Sequence, residues 1–270
     1  IGPAGYGKTT SVLDYLNSSG KKYAWLYLSP DIDNPSVLLS YLIHSLRELN
    51  GSFGENTLEL ISSLTANDMF TREAGTSINT VIGSFVNEFV TDFAEDITLV
   101  IDDLHNIEGS GWTNDIFNAL NENFPDNLHI IFTTRSIPGF NMAKLTAKRR
   151  LAKIQSDELN FTADETESLL KDIYSISCKK EDVDKLLTKI EGWITGLHLV
   201  LQAYGIDFAK AAGGNKQIDE DIFGYFAEDI FAQLEVNTKE FLLTTSMLDN
   251  FTTDICESVL GLSGSKETLD

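Results

Sequence analysis

Cysteine, histidine and basic charge are scarce in this sequence, and each shortage removes a class of protein. The two cysteines, Cys178 and Cys256, stand far apart. They suggest neither a disulfide framework nor a metal-binding pair, and fit reduced thiols in a cytosolic protein. Four histidines, His44, His105, His129 and His198, are equally dispersed, with no metal-ligand spacing among them. Against 41 acidic residues there are only 20 basic ones, a net charge of −21. That balance repels a phosphate backbone, so no DNA binding by this chain itself is expected. No apolar run approaches the length of a membrane span and no charged-then-apolar leader is visible, so a cytoplasmic protein without membrane contact is expected. With 270 residues, 42% of them hydrophobic, the chain can build two or three domains, each with its own core.

The first ten residues organise the rest. Gly2, Gly7, Lys8 and Thr9 fill the pattern G-x-x-x-x-G-K-[ST] of a phosphate-binding P-loop, completed by Pro3, Ala4, Gly5, Tyr6 and Thr10. Triphosphate oxygens need several donors converging on a small volume. A glycine-rich turn supplies backbone N–H groups without Cβ atoms in the way, and the following helix adds its positive end. Lys8 is placed to reach the β- and γ-phosphates, and the Thr9 hydroxyl to ligate the Mg²⁺ that bridges them. A P-loop protein has a buried strand leading into this loop, so that strand is expected ahead of Ile1 and the sequence reads as an excised piece.

Helix and strand signals then alternate in the order of a parallel α/β sheet. Thr10 to Leu16 has helical spacing and ends at Asn17-Ser18-Ser19-Gly20; Tyr23 to Leu28 is a β-rich run. Asn34 and Pro35 are placed as N-cap and first residue of a helix to Leu49. After a Gly/Ser/Asn-rich connection a helical stretch is interrupted near Ala74-Gly75-Thr76 and resumes from Ile78 to Phe93. Ile97-Thr98-Leu99-Val100-Ile101-Asp102-Asp103 reads as a strand buried on both faces with two carboxylates at its C-terminal end, where such sheets bind ligands. This has the form of a Walker B strand: Asp102 would hold Mg²⁺, and Asp103 would polarise the attacking water. Asn114 to Asn123 reads as helix, and Leu128 to Arg135 as another buried strand with a polar end, which offers Arg135 as sensor of the γ-phosphate. The basic group Lys144, Lys148, Arg149, Arg150 and Lys153 has the charge to touch phosphate or nucleic acid, but fits better a solvated face that balances acid.

From Phe161 onward helices take over. Thr162-Ala163-Asp164-Glu165 is a capping box, Lys180 to Ile190 has one apolar face, and Gly192-Trp193 introduces a third helix in which Trp193 is expected in the core. Ala211-Ala212-Gly213-Gly214-Asn215 reads as a linker, followed by helices at Ile222–Leu234 and Lys239–Met247. The expected domains are therefore residues 1–157, 158–212 and 216–270.

Taken together, Gly2 to Thr10, Leu99-Val100-Ile101-Asp102-Asp103-Leu104-His105, Thr134-Arg135, Leu159-Asn160-Phe161-Thr162 and Gly192-Trp193 resemble the nucleotide-binding oligomerisation module of the STAND ATPases. The likeness is to the MalT-like, LuxR-family bacterial transcriptional regulators, and it covers nearly the whole chain. It implies an α/β fold: an AAA+-like P-loop NTPase parallel sheet with helices on both faces, then a small helical domain and part of a winged-helix domain. It also implies ATP and ADP as ligands, with ADP holding a closed monomer and ATP plus an inducer permitting self-oligomerisation, while slow hydrolysis resets the switch. DNA would be met only through an effector domain elsewhere in the polypeptide. Two departures stand out. Gly192-Trp193-Ile194-Thr195-Gly196-Leu197 lacks the proline of the Gly-x-Pro motif that many STAND proteins use on the nucleotide. No winged-helix histidine of the kind that contacts the ADP β-phosphate in some relatives is identifiable.

Two other readings use the same P-loop. A metabolic enzyme such as a small-molecule kinase needs an arginine-bearing lid and an acceptor pocket, and neither is visible. A degenerate module that binds nucleotide and never cycles would not need Lys8, Thr9, Asp102 and Asp103 together. Leu262-Ser263-Gly264-Ser265 only superficially matches a transporter ATPase signature, far from the P-loop.

Overall fold

Gly7 and Gly20 bracket the first helix. Both take left-handed backbone angles, φ +73° and +65°, and α1 (Lys8–Ser19) runs between them, because a residue without Cβ enters that conformation at no steric cost. The computed structural model describes residues 1–63, 78–205, 236–246 and 252–258, with positions 224, 231, 234, 248 and 261. The interruption near Ala74-Gly75-Thr76, the Ala211–Asn215 linker, most of the Ile222–Leu234 segment and Leu262–Ser265 lie outside the described residues. Two compact units separate between Phe161 and Thr162.

The first unit is built on a parallel sheet of three strands, β1 (Lys22–Tyr27), β2 (Ile97–Asp102) and β3 (Leu128–Phe132), in that spatial order. Tyr27 pairs with Asp102 and Ile101 with Phe132, so the C-terminal ends of all three strands lie level. The central strand is buried at every position, as its unbroken apolar run requires. In β3 Leu128 is buried, His129 is exposed, and Ile130, Ile131 and Phe132 are partly buried.

One face of the sheet carries the core. Ala24, Leu26 and Leu28 join Ile97, Leu99, Ile101 and Leu128, and helices α2 (Pro35–Arg47), α4 (Ile78–Asp92) and α5 (Gly111–Glu122) add apolar side chains to them. The Asn34 side chain accepts the Val37 N–H at 3.0 Å with Pro35 in the first turn, so α2 starts where the Asn-Pro pair sets it. α4 buries Val81, Ile82, Phe85 and Phe89, one stripe at helical spacing. Phe53 packs edge-on against Phe85 and Phe89 at 5.5 and 6.2 Å between ring centroids, the geometry that ring quadrupoles favour. Glu88 of α4 accepts the N–H groups of Asn56 and Thr57 and so caps α3 (Glu55–Ser62) from outside. Two short helices that no periodicity announces, α6 (Met142–Ala147) and α7 (Ser156–Leu159), complete this unit.

In the second unit, α8 (Ala163–Asp172) opens on the capping box: Glu165 Oε2 accepts the Thr162 N–H at 2.9 Å, and hydrogen bonds from Thr162 hold its carboxyl below the usual carboxylate range. α9 (Lys180–Ile190) and α10 (Ile194–Tyr204) follow, and Trp193 is buried between them in sequence, 5% exposed. A Cβ on Gly196 would stand 2.5 Å from the Trp193 ring, which accounts for the glycine three residues after the tryptophan. α11 (Val236–Thr245) and α12 (Thr253–Ser258) contribute the buried Phe241 and Cys256.

Gly54, at φ +75°, precedes α3, and a methyl there would collide with Ile43 Cγ2. Gly54→Ala is expected to destabilise the protein by about 2–4 kcal/mol, combining left-handed strain with overpacking. Gly51→Ala, where nothing lies within 4 Å of the added carbon, should cost under about 0.5 kcal/mol. Urea unfolding separates the two; equal midpoints would refute this packing account.

Candidate functional site

The level strand ends set the P-loop beside the two loops that follow β2 and β3. Gly5 and Gly7 have φ of +75° and +73°, which curls residues 2–7 into a turn whose last residue caps α1. Gly2 donates its N–H to the Thr134 carbonyl at 3.1 Å, and α7 packs beneath it, with Ser156 Cα and Leu159 Cδ1 both 3.6 Å from where a Gly2 Cβ would stand. Lys8 Nζ donates to the Pro3 carbonyl at 2.8 Å. Burial pushes the Lys8 ammonium below its ordinary value; the Arg135 charge adds to this, while Asp103 and Asp102 oppose it.

The carboxylate that ends β2 is tied to the start of α1 directly. Thr9 Oγ1 donates to Asp102 at 3.0 Å (Oδ1) and 3.2 Å (Oδ2), and Thr133 Oγ1 donates to the same Oδ1. Asp102 is 4% exposed, so a buried anion is here satisfied by two hydroxyls. Asp103 then leaves the strand in the left-handed region, φ 58° and ψ 47°, and donates its N–H to Thr133 Oγ1 at 2.9 Å. A single 3₁₀ turn, Leu104–Asn106, follows; Asn106 Nδ2 donates to the Leu28 carbonyl at 2.7 Å and fastens this loop to the end of β1. His105 Nδ1 is buried without a hydrogen-bond partner and stands 3.8 Å from Asp103 Oδ1. Burial foremost, and then the Arg135 charge, lowers the His105 imidazole below its ordinary 6.5, which keeps it neutral at pH 7.

Lys8, Thr9, Asp102 and Asp103 are thus brought to one place, and Arg135, exposed at the end of β3, lies close enough for its charge to act on both Lys8 and His105. Thr10 is exposed on the first turn of α1 and Tyr6 is half-buried within the loop. Of the basic group, Lys144 pairs with Glu122 at 3.3 Å and Arg150 with Asp126. Sequence reasoning named Thr133 and Thr134 without giving either a role in the site, and passed over Glu108. The signal for Thr133 was present, since aligning the two strands by their apolar runs sets it beside Asp102.

A hydroxyl and a carboxylate in contact at the mouth of a glycine-rich turn form an all-oxygen donor set. Hard divalent cations such as Mg²⁺ prefer such a set, so Thr9 and Asp102 fit the ion that a P-loop requires. Among the described residues no cluster of three or more His, Cys, Asp or Glu side chains forms a separate metal site. No helix among them is long and apolar enough to cross a membrane.

Comparison with known proteins adds the following. Residues 227–270 match the family model of the MalT winged helix domain. The transcriptional regulator MalT of Vibrio campbellii is 27% identical over 262 residues, covering 94% of this chain and 27% of that protein. This chain is thus similar to MalT along most of its length. The serine/threonine-protein kinase PknK of Mycobacterium tuberculosis is 26% identical over 273 residues, 99% of this chain and 24% of the kinase. A solved structure of the Aeropyrum pernix ORC1 protein in complex with DNA matches at a TM-score of 0.45 with 12% identity, over 92% of this chain and 65% of that one. The chain therefore spans about a quarter of the length of these curated relatives.

A charged lysine held half-buried opposes folding until it loses its proton. Because its pKa is lowered in the folded state, the unfolded chain binds more protons between that value and the ordinary 10.5, and stability gains as pH rises through this window. In protein stripped of nucleotide, Lys8→Met is expected to raise the melting temperature at pH 7, with a gain that narrows toward pH 10.5. A gain that stays constant across a melting series in pH would overturn the burial argument.

Proposed function

We propose that this chain is the ATP- and ADP-binding, slowly hydrolysing switch module of a signal-responsive, MalT-like transcriptional regulator. The observation that carries this reading is the bonded set of Thr9, Asp102 and Thr133 with Asp103 and Lys8 beside it. P-loop backbone N–H groups and the start of α1 would cradle the phosphates. Thr9 and Asp102 would hold Mg²⁺, whose charge offsets that of the β- and γ-phosphate oxygens. Lys8 would swing from Pro3 to those oxygens, and Arg135 would meet the terminal phosphate. In hydrolysis Asp103 would accept a proton from the attacking water; the water oxygen bonds to the γ-phosphorus as the bond to the β–γ bridging oxygen breaks, leaving ADP and phosphate. The choice of ATP over GTP rests on the STAND resemblance.

The comparisons support a regulatory module in particular. The same stretch of about 270 residues is matched both in proteins named as transcriptional regulators and in one named as a protein kinase. A unit attached to different effectors is more economically a shared control element than the seat of either named activity. On this reading ADP holds the module closed, ATP with an inducer lets it self-assemble in the cytoplasm, and DNA is contacted by a part outside this chain.

The test is a pair of variants. Denatured wild type is expected to release ADP on chromatography, whereas Lys8→Ala should carry none and bind no added ATP. Asp103→Asn should still bind ATP but release phosphate about 10²–10⁴-fold more slowly in single turnover, the usual contribution of a general base. ATP binding by Lys8→Ala at wild-type strength would defeat the assignment.

A further inference from the structure

Arg135 sits between two hydroxyl-bearing residues, and both are held by one carboxylate. Thr134 Oγ1 donates to Glu108 Oε1 at 3.1 Å, and Ser136 Oγ donates to Glu108 Oε2. The Ser136 N–H closes the ring on Thr134 Oγ1 at 3.4 Å. Each oxygen of Glu108 is therefore committed to a residue flanking Arg135, one on either side. Among the described residues no carboxylate forms an ion pair with Arg135 itself, so the guanidinium keeps its charge for another partner.

The support behind Glu108 is rigid. Its neighbour Ile107 is 3% exposed, and the Ile107 carbonyl accepts the Ser110 hydroxyl at 2.6 Å and the Thr113 hydroxyl at 2.8 Å. That fixes the backbone beside Glu108 to the start of α5. Thr134 is 1% exposed, and its carbonyl takes the P-loop N–H of Gly2. The clamp thus joins three segments: the P-loop entrance, the loop after the Walker B strand, and the loop that bears Arg135.

We infer that Glu108 is a positioning residue which, by gripping Thr134 and Ser136, aims Arg135 at the terminal phosphate and so sets how well the module tells ATP from ADP; the inference rests on the switch reading above. A two-point grip on flanking residues restricts the backbone of the residue between them, and an arginine whose backbone is fixed loses less freedom when it engages phosphate. Charge at position 108 is not what the geometry needs. A glutamine can accept from one hydroxyl and donate to the other, which makes it the diagnostic replacement.

The experiment measures dissociation constants of ADP and of the non-hydrolysable analogue AMP-PNP, with Mg²⁺, on the full chain. Glu108→Ala is expected to lower the preference for the triphosphate by about tenfold, the scale of one charge-assisted contact. Arg135→Ala should lower it equally, and the double variant no further. Glu108→Gln should retain the preference. If Glu108→Ala fails to fold, the exposed Ser136→Ala removes one of the two donors and should cost roughly threefold. An unchanged ratio in Glu108→Ala or Arg135→Ala, loss in Glu108→Gln, or effects that multiply in the double variant would overturn this role for Glu108 and leave the switch reading standing. Wild type that binds neither nucleotide would instead remove the switch reading itself.

Discussion

Two adjacent threonines at the end of β3 tie the site together. The Thr133 hydroxyl donates to the Asp102 carboxylate and accepts the Asp103 N–H, while its backbone accepts from Leu104 at 2.9 Å and donates to Ile101 at 3.1 Å. Thr134 reaches the other way, its carbonyl to Gly2 and its hydroxyl to Glu108. Each hydroxyl serves as donor and acceptor at once, that of Thr134 taking the Ser136 N–H. Removing the Thr133 hydroxyl takes the acceptor from the Asp103 N–H and one of two hydroxyl donors from Asp102, a loss of about 1–3 kcal/mol. The glycine-rich loop, the paired carboxylates and the loop bearing Arg135 are joined through these two residues.

This arrangement depends on strand register more than on any single motif. β2 is buried along its whole length, and a one-residue slip against β3 would move Thr133 away from Asp102. The core on one face, where Leu26, Ile101 and the phenylalanines of α4 meet, therefore does functional duty. It fixes the register that puts a hydroxyl against a carboxylate on the opposite face.

Local signals were readable from the sequence and cross-strand ones were not. Asn34-Pro35, the Thr162–Glu165 capping box, the P-loop and the apolar run ending in Asp102 each declare themselves within a few residues, and the structure places each as its local chemistry dictates. Glu108, Thr134 and Ser136 lie up to 28 residues apart in the chain, and no periodicity links them. α6 and α7 are too short, at 6 and 4 residues, to carry a repeat of their own.

The left-handed backbone at Asp103 has a bearing on what the position can tolerate. Most side chains pay about 1–2 kcal/mol to stand there, whereas Asp and Asn visit the region readily and Gly enters it freely. Backbone shape thus favours Asp, Asn and Gly at this position, a preference and not a bar, since Arg149, Ser175 and Glu191 stand at similar φ elsewhere in the chain. A laboratory or natural lineage drifting at this codon meets a conformational sieve first and a chemical one second, so the acid is guarded by the turn that presents it.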